Sequence, residues 1–105
     1  MKEMHSREEL FAAIDKGASI VLFSADWCPD CVFIKPFMPE VESKFTQFEF
    51  LYADRDKLIE VCQELDIFGI PSFVAFKDGK EIGRYVNKDR KTQEQIEQFI
   101  SELSI

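Results

Sequence analysis

Two cysteines, Cys28 and Cys31, stand one helical turn apart where an apolar run, Ile20-Val21-Leu22-Phe23, gives way to a helical pattern opening at Pro29. A sulfur at a helix N-terminus meets unpaired backbone N–H groups and the positive end of the helix dipole, both of which stabilise a thiolate. The thiolate is the reactive species in disulfide exchange. A second thiol one turn further on can attack the mixed disulfide formed between Cys28 and a substrate, releasing reduced product and leaving Cys28–Cys31 oxidised. This chemistry needs neither a metal nor an organic cofactor. A zinc or iron–sulfur site would need four ligands, and only Cys62 and His5 remain, neither well placed.

The elements that hold this pair follow from hydrophobic spacing. Ser6-Arg7-Glu8-Glu9 has the form of a capping box, and Leu10, Phe11 and Ile14 follow at helical spacing, which predicts a first helix over about 6–16. The continuous run Ile20–Phe23 suits a strand buried on both faces. Ile34, Phe37, Met38, Val41 and Phe45 then recur at spacings of three and four, so a longer helix begins at the cysteines. Pro29 suits its first turn, Pro36 should bend it, and Pro39 starts its second segment. Phe48–Ala53 alternates as a second strand, and Leu58, Val61, Cys62 and Leu65 mark the buried stripe of a third helix. Ser72–Phe76 and Lys80–Val86 flank Lys77-Asp78-Gly79 as a β-hairpin, and Ile96, Phe99, Ile100 and Leu103 define a last amphipathic helix. The order is helix, strand, helix, strand, helix, hairpin, helix. It predicts one α/β domain over residues 1–105, a mixed sheet of four to five strands flanked on both faces by about four helices.

Composition narrows the function classes. With 105 residues, 46% apolar content and eleven Phe, the chain can build one packed core without staples. A net charge of −7 argues against nucleic acid or an anionic membrane as its partner. The charged segment Met1–Leu10 lacks the apolar core of a secretory signal, and no stretch is long enough to span a bilayer. Three cysteines, two of them so close in sequence, do not make a structural disulfide framework. The expected compartment is reducing, the cytoplasm.

Trp27-Cys28-Pro29-Asp30-Cys31, preceded by a buried strand, resembles the active-site segment of the thioredoxin family in its bacterial form. The resemblance continues through nearly the whole chain. Gly69-Ile70-Pro71 falls just before a strand, where thioredoxins carry their cis-proline loop, and Pro36 matches the proline that bends the family's active-site helix. The resemblance implies a thioredoxin fold and a thiol–disulfide oxidoreductase, with Cys28 as nucleophile and Cys31 as resolving thiol. It further implies a cis Ile70–Pro71 bond against the cysteines, Ile70 holding the substrate chain through its backbone, and Trp27 flanking the site. Disulfide-bearing proteins or small molecules are the implied substrates, a flavin-dependent thioredoxin reductase the implied electron donor, and a monomer the implied state.

Three departures from the family pattern bear on mechanism. Thioredoxins place a buried acid six residues before the nucleophile to move protons at the resolving thiol, and here that position is Leu22. Asp30, Asp26 or water are the available substitutes, and the sequence leaves them open. Pro29-Asp30 replaces the common Gly-Pro between the cysteines; a carboxylate there suits the helix but opposes a neighbouring thiolate, which predicts a reducing rather than an oxidising pair. A glycine that flanks the family's substrate groove becomes about Asn87, with Lys88, Arg90 and Lys91 beside it, predicting a bulkier, basic rim and narrower substrate choice.

Two other functions fit part of the pattern. Pro29 directly after Cys28 occurs in many glutaredoxins, which work through a low-molecular-weight thiol; the helix before the first clear strand and the absence of that family's Gly-Gly pair stand against it. A thioredoxin-fold binding or sensing module is kept open by the missing acid. Elsewhere, Cys62 reads as a core thiol and His5 as surface, while Asp54-Arg55-Asp56 and Lys88–Lys91 read as solvated charge.

Overall fold

Alternate residues of the run Ile20–Phe23 enter two separate cores. The computed structural model describes residues 1–104. Ala18–Ser24, the strand β2, lies at the centre of a five-stranded sheet, where six of its seven residues are buried. The other strands are β1 (Lys2–Met4), β3 (Glu49–Asp54), β4 (Ser72–Lys77) and β5 (Lys80–Tyr85), in the spatial order β1-β3-β2-β4-β5. β3 runs parallel to β1 and β2, while β4 is antiparallel to β2 and to β5. Val21 and Phe23 pack with Leu51, Val74, Leu10, Ile14, Val61 and Cys62 on one face. Ile20 and Leu22 pack with Phe73, Ile34, Met38, Val41, Ile96 and Ile100 on the other. A strand covered on both sides has no solvent face to alternate towards, hence its unbroken apolar sequence.

Helices α1 (Arg7–Ile14) and α4 (Ile59–Glu64) cover the first face. The second is covered by α5 (Gln93–Ser101) and a bent helix formed of α2 (Pro29–Ile34), a 3₁₀ turn (Lys35–Phe37) and α3 (Met38–Lys44). Pro36 lies in the 3₁₀ turn, as its missing N–H requires, and Pro39 opens α3. Counted with that bend as one, the helices number about four, as expected. Ser6 caps α1 by accepting from the Glu9 N–H, but the helix is shorter than expected, ending at Ile14. The hairpin turns through Asp78 and Gly79, both at positive φ (49° and 87°), the geometry a two-residue connection between twisted strands demands.

One element was not expected. Lys2-Glu3-Met4 forms the edge strand β1, so the chain opens on a strand and not on a helix. Its three residues are too few for a period, and only Met4 is buried. A short, charged edge strand also discourages pairing with other chains. Helix α1 still precedes the strand that leads into the cysteines, the feature that stands against a glutaredoxin.

Candidate active site

The site forms where β2 ends. Its last carbonyl, on Ser24, accepts from the Arg55 N–H at 2.8 Å, and the chain turns so that the Cys28 N–H reaches the Ala25 carbonyl at 3.3 Å. Cys28 is the N-cap of α2: its backbone is extended (φ −85°, ψ 116°) and its Sγ accepts from the Cys31 N–H at 3.3 Å. A helix start thus supplies a donor to the first sulfur. Both thiols are free and buried, Cys28 at 6% exposure and Cys31 at 1%. Burial pushes the Cys31 thiol up to about 11, reinforced by its hydrogen bond with Cys28 and relieved in part by Ser24 and the Ala25 backbone. Cys31 must ionise before it can attack. Release of substrate from a Cys28 mixed disulfide should therefore accelerate as pH rises above about 7, because burial, the chief cause of the raised Cys31 value, persists in that species and the reactive thiolate grows with pH. Stopped-flow release rates across that range test it, and a flat profile would contradict it.

Ile70, which precedes Pro71, packs against Ala25, Cys28 and Cys31. The Ile70–Pro71 bond is cis, and the Ile70 carbonyl lies 4.0 Å from Cys28 Sγ. This loop is braced from behind. The Ser72 hydroxyl donates chiefly to the Gly69 carbonyl (2.6 Å) with the Asn87 carbonyl nearby at 3.2 Å. The Asn87 backbone sits directly against Gly69.

Lys91 corrects the expectation of a solvated basic rim. It is fully buried, its ammonium lying 5.0 Å from the centre of the Tyr85 ring and donating to Asn87 Oδ1 and the Asp89 carbonyl, both at 2.9 Å. Burial lowers its pKa, opposed by Asp89 and by the cysteines. Lys91 pins the rim loop from inside. Lys91→Met should cost about 1–3 kcal/mol, because it strands buried acceptors, and urea unfolding measures it.

Arg90 is likewise not free charge. Its Nε donates to Asp30 Oδ1 at 2.8 Å and its guanidinium covers the Phe33 ring at 4.3 Å, tying the rim to the first turn of α2. The Asp30 carboxylate is therefore offset by a cation in contact. Asp26, the other acid near the sulfurs, is exposed and paired with Lys35 at 3.4 Å.

Trp27 is 61% exposed, and its indole N–H donates to Asp56 Oδ2 at 2.6 Å. Arg55 lies over the ring at 5.9 Å. The Asp54-Arg55-Asp56 cluster thus positions Trp27 and is not mere surface. Asp54 Oδ1 organises it by accepting from the Asp56 and Lys57 N–H groups. Cys62 is buried in the α1/α4 core, away from the other thiols, and burial pushes it up to about 11. Among the described residues no cluster of three or more His, Cys, Asp or Glu side chains is arranged to hold a metal.

A dithiol capping a helix beneath a proline loop, on a mixed sheet covered on both faces, defines the class: a thiol–disulfide oxidoreductase. The thioredoxin family profile matches residues 2–102, and the chain belongs to that family. Human thioredoxin is 31% identical over 106 residues, covering 98% of both chains. Rice thioredoxin H2-1 is 33% identical over 105 residues, or 95% of this chain and 74% of the relative. Among solved structures, Plasmodium falciparum thioredoxin matches with a TM-score of 0.81 at 27% identity, covering 93% of this chain and 97% of the other.

Proposed function

We propose that the protein reduces disulfides of proteins or small molecules by dithiol–disulfide exchange, with Cys28 attacking and Cys31 resolving. The observation that carries this reading is the asymmetry of the pair: Cys28 Sγ receives a backbone N–H at the helix start, while Cys31 Sγ receives none there and Cys31 is the more deeply buried residue. Cys28 attacks one sulfur of the substrate, whose other sulfur leaves as a thiol. The Cys31 thiolate then attacks Cys28, forming the internal disulfide and expelling the second substrate thiol. Two electrons pass from the dithiol to the substrate and no cofactor takes part. Ile70 holds the substrate chain by its backbone, with Pro71, Trp27 and Pro29 shaping the groove.

A flavin-dependent thioredoxin reductase would return the pair to the dithiol, in the cytoplasm, with the protein acting as a monomer. The equilibrium potential against glutathione or dithiothreitol, with Cys28→Ser as control, tests the proposal. A value at or below about −250 mV is expected, and one above about −200 mV would overturn the reductase direction. Insulin reduction driven by a dithiol separates turnover from a binding module, which would give almost no rate.

A further inference from the structure

The place of the missing acid is bordered by two hydroxyl groups. Leu22 of β2 stands in register with Tyr52 of β3, and Ser24, two residues along β2, faces the same side. Ser24 is buried, a polar side chain on a strand face otherwise given to Ile20 and Leu22. Such a group belongs in a core only with a polar partner. Its partners are at hand. Cys31 and Tyr52 border the same cavity as Ser24.

Leu22, Ser24, Cys31 and Tyr52 together line a cavity of about 200 Å³ beneath the resolving thiol. Tyr52 also lines a second, neighbouring depression of about 320 Å³ with Asp26, Lys35 and Glu3. Tyr52 therefore forms part of the wall between the thiol's cavity and a charged outer surface. Asp30, the alternative acid, is held by Arg90 on the rim side of α2.

We propose that Ser24 and Tyr52 are the proton path of the resolving cysteine, replacing the carboxylate that Leu22 displaces. The inference rests on the dithiol-exchange reading above. In resolution the Cys31 S–H bond breaks and its electron pair forms the bond to Cys28, while the bond from Cys28 to the substrate sulfur breaks and the substrate leaves as a thiolate. The Cys31 proton passes to Ser24 Oγ as Ser24 hands its own to Tyr52, and Tyr52 hands its own to water or hydroxide in the outer depression. Neither hydroxyl accumulates charge, so neither needs to be a strong base. Ser24 and Tyr52 act on the reacting thiol from the wall of the cavity they share with it, and both are positioning residues.

Ellman's reagent separates the steps in one trace. Its leaving group needs no protonation, so the first release reports attack by Cys28 and the second reports ionisation and attack by Cys31. In a Cys62→Ala background, Ser24→Ala and Tyr52→Phe should each slow the second release roughly tenfold or more and change its solvent deuterium isotope effect, leaving the first release within about twofold. Ser24→Thr, which keeps the hydroxyl, should restore the second rate. A second release unchanged in rate and isotope effect in both variants overturns the proton path. Absence of any second release from the protein with Ser24 and Tyr52 intact would instead overturn the dithiol reading itself.

Discussion

Serine at position 31 should turn the protein from a multiple-turnover reductase into a trap that holds its substrate on Cys28. The Cys28 sulfur keeps its place at the helix start, and the residue 31 N–H that it accepts belongs to the backbone and survives the change. Attack on a substrate disulfide therefore continues. Release does not, because the only thiol packed against Cys28 is gone, and Cys62 is buried in the opposite core. An external thiol must take over. An intramolecular thiol in contact works at an effective concentration far above the millimolar range, so with about 1 mM external thiol steady-state turnover should fall roughly 10³-fold or more. Mass spectrometry of Cys31→Ser after exposure to a disulfide peptide should find one peptide per chain, lost on adding dithiothreitol. Cys28→Ser should show no such adduct, and an adduct on that variant would reassign the nucleophile.

The second large effect should come from one methyl group away from the sulfurs. A Cβ on Gly69 would lie 2.5 Å from the Asn87 carbonyl carbon and from the Lys88 nitrogen, and 2.7 Å from the Asn87 oxygen. All three are backbone atoms, so no side chain can swing aside. Gly69 is needed for close approach and not for a special φ, which is why the rim loop can seat against the loop carrying Ile70. The rim cannot retreat easily either, since Lys91 anchors Asn87 from within the core and Arg90 anchors the loop to Asp30. Gly69→Ala should therefore displace Ile70 and Pro71, at about 1–3 kcal/mol in stability by urea unfolding. Because a shift of about 1 Å in a positioning group costs on the order of 10²-fold in rate, insulin reduction should fall by about that factor. Alkylation of Cys28 by iodoacetamide should change far less, since the sulfur's helix cap is intact. Unchanged insulin reduction would show that the loop junction does not set substrate geometry.

Tyr52 and Lys91 show why the sequence left parts of the site unread. Each was visible as a residue but not as a partner: Tyr52 was one position in an alternating strand, and Lys91 one of several charges in a run. Their roles follow from the sheet order β1-β3-β2-β4-β5, which sets Tyr52 opposite Leu22 and brings the segment after β5 over the proline loop. The same holds for Asp56, which meets Trp27 across 29 positions, and for Arg90, which meets Asp30 across 60. Edge strand β1 was missed for a related reason: a three-residue strand is specified by its neighbour β3 and not by its own period.

By itself the sequence determined what local physics can determine. Apolar spacing marked each helix and the longer strands, and the prolines marked the start and the bend of the active-site helix. The cysteine spacing put two thiols one turn apart at a helix start, where backbone donors exist whatever surrounds them. Only the tertiary structure decided how far each thiol is buried, which cations face Asp30 and the rim, and which hydroxyl-bearing residues share a cavity with Cys31. Those properties depend on desolvation and on charges brought near by chain segments far apart in sequence, and no local pattern records them.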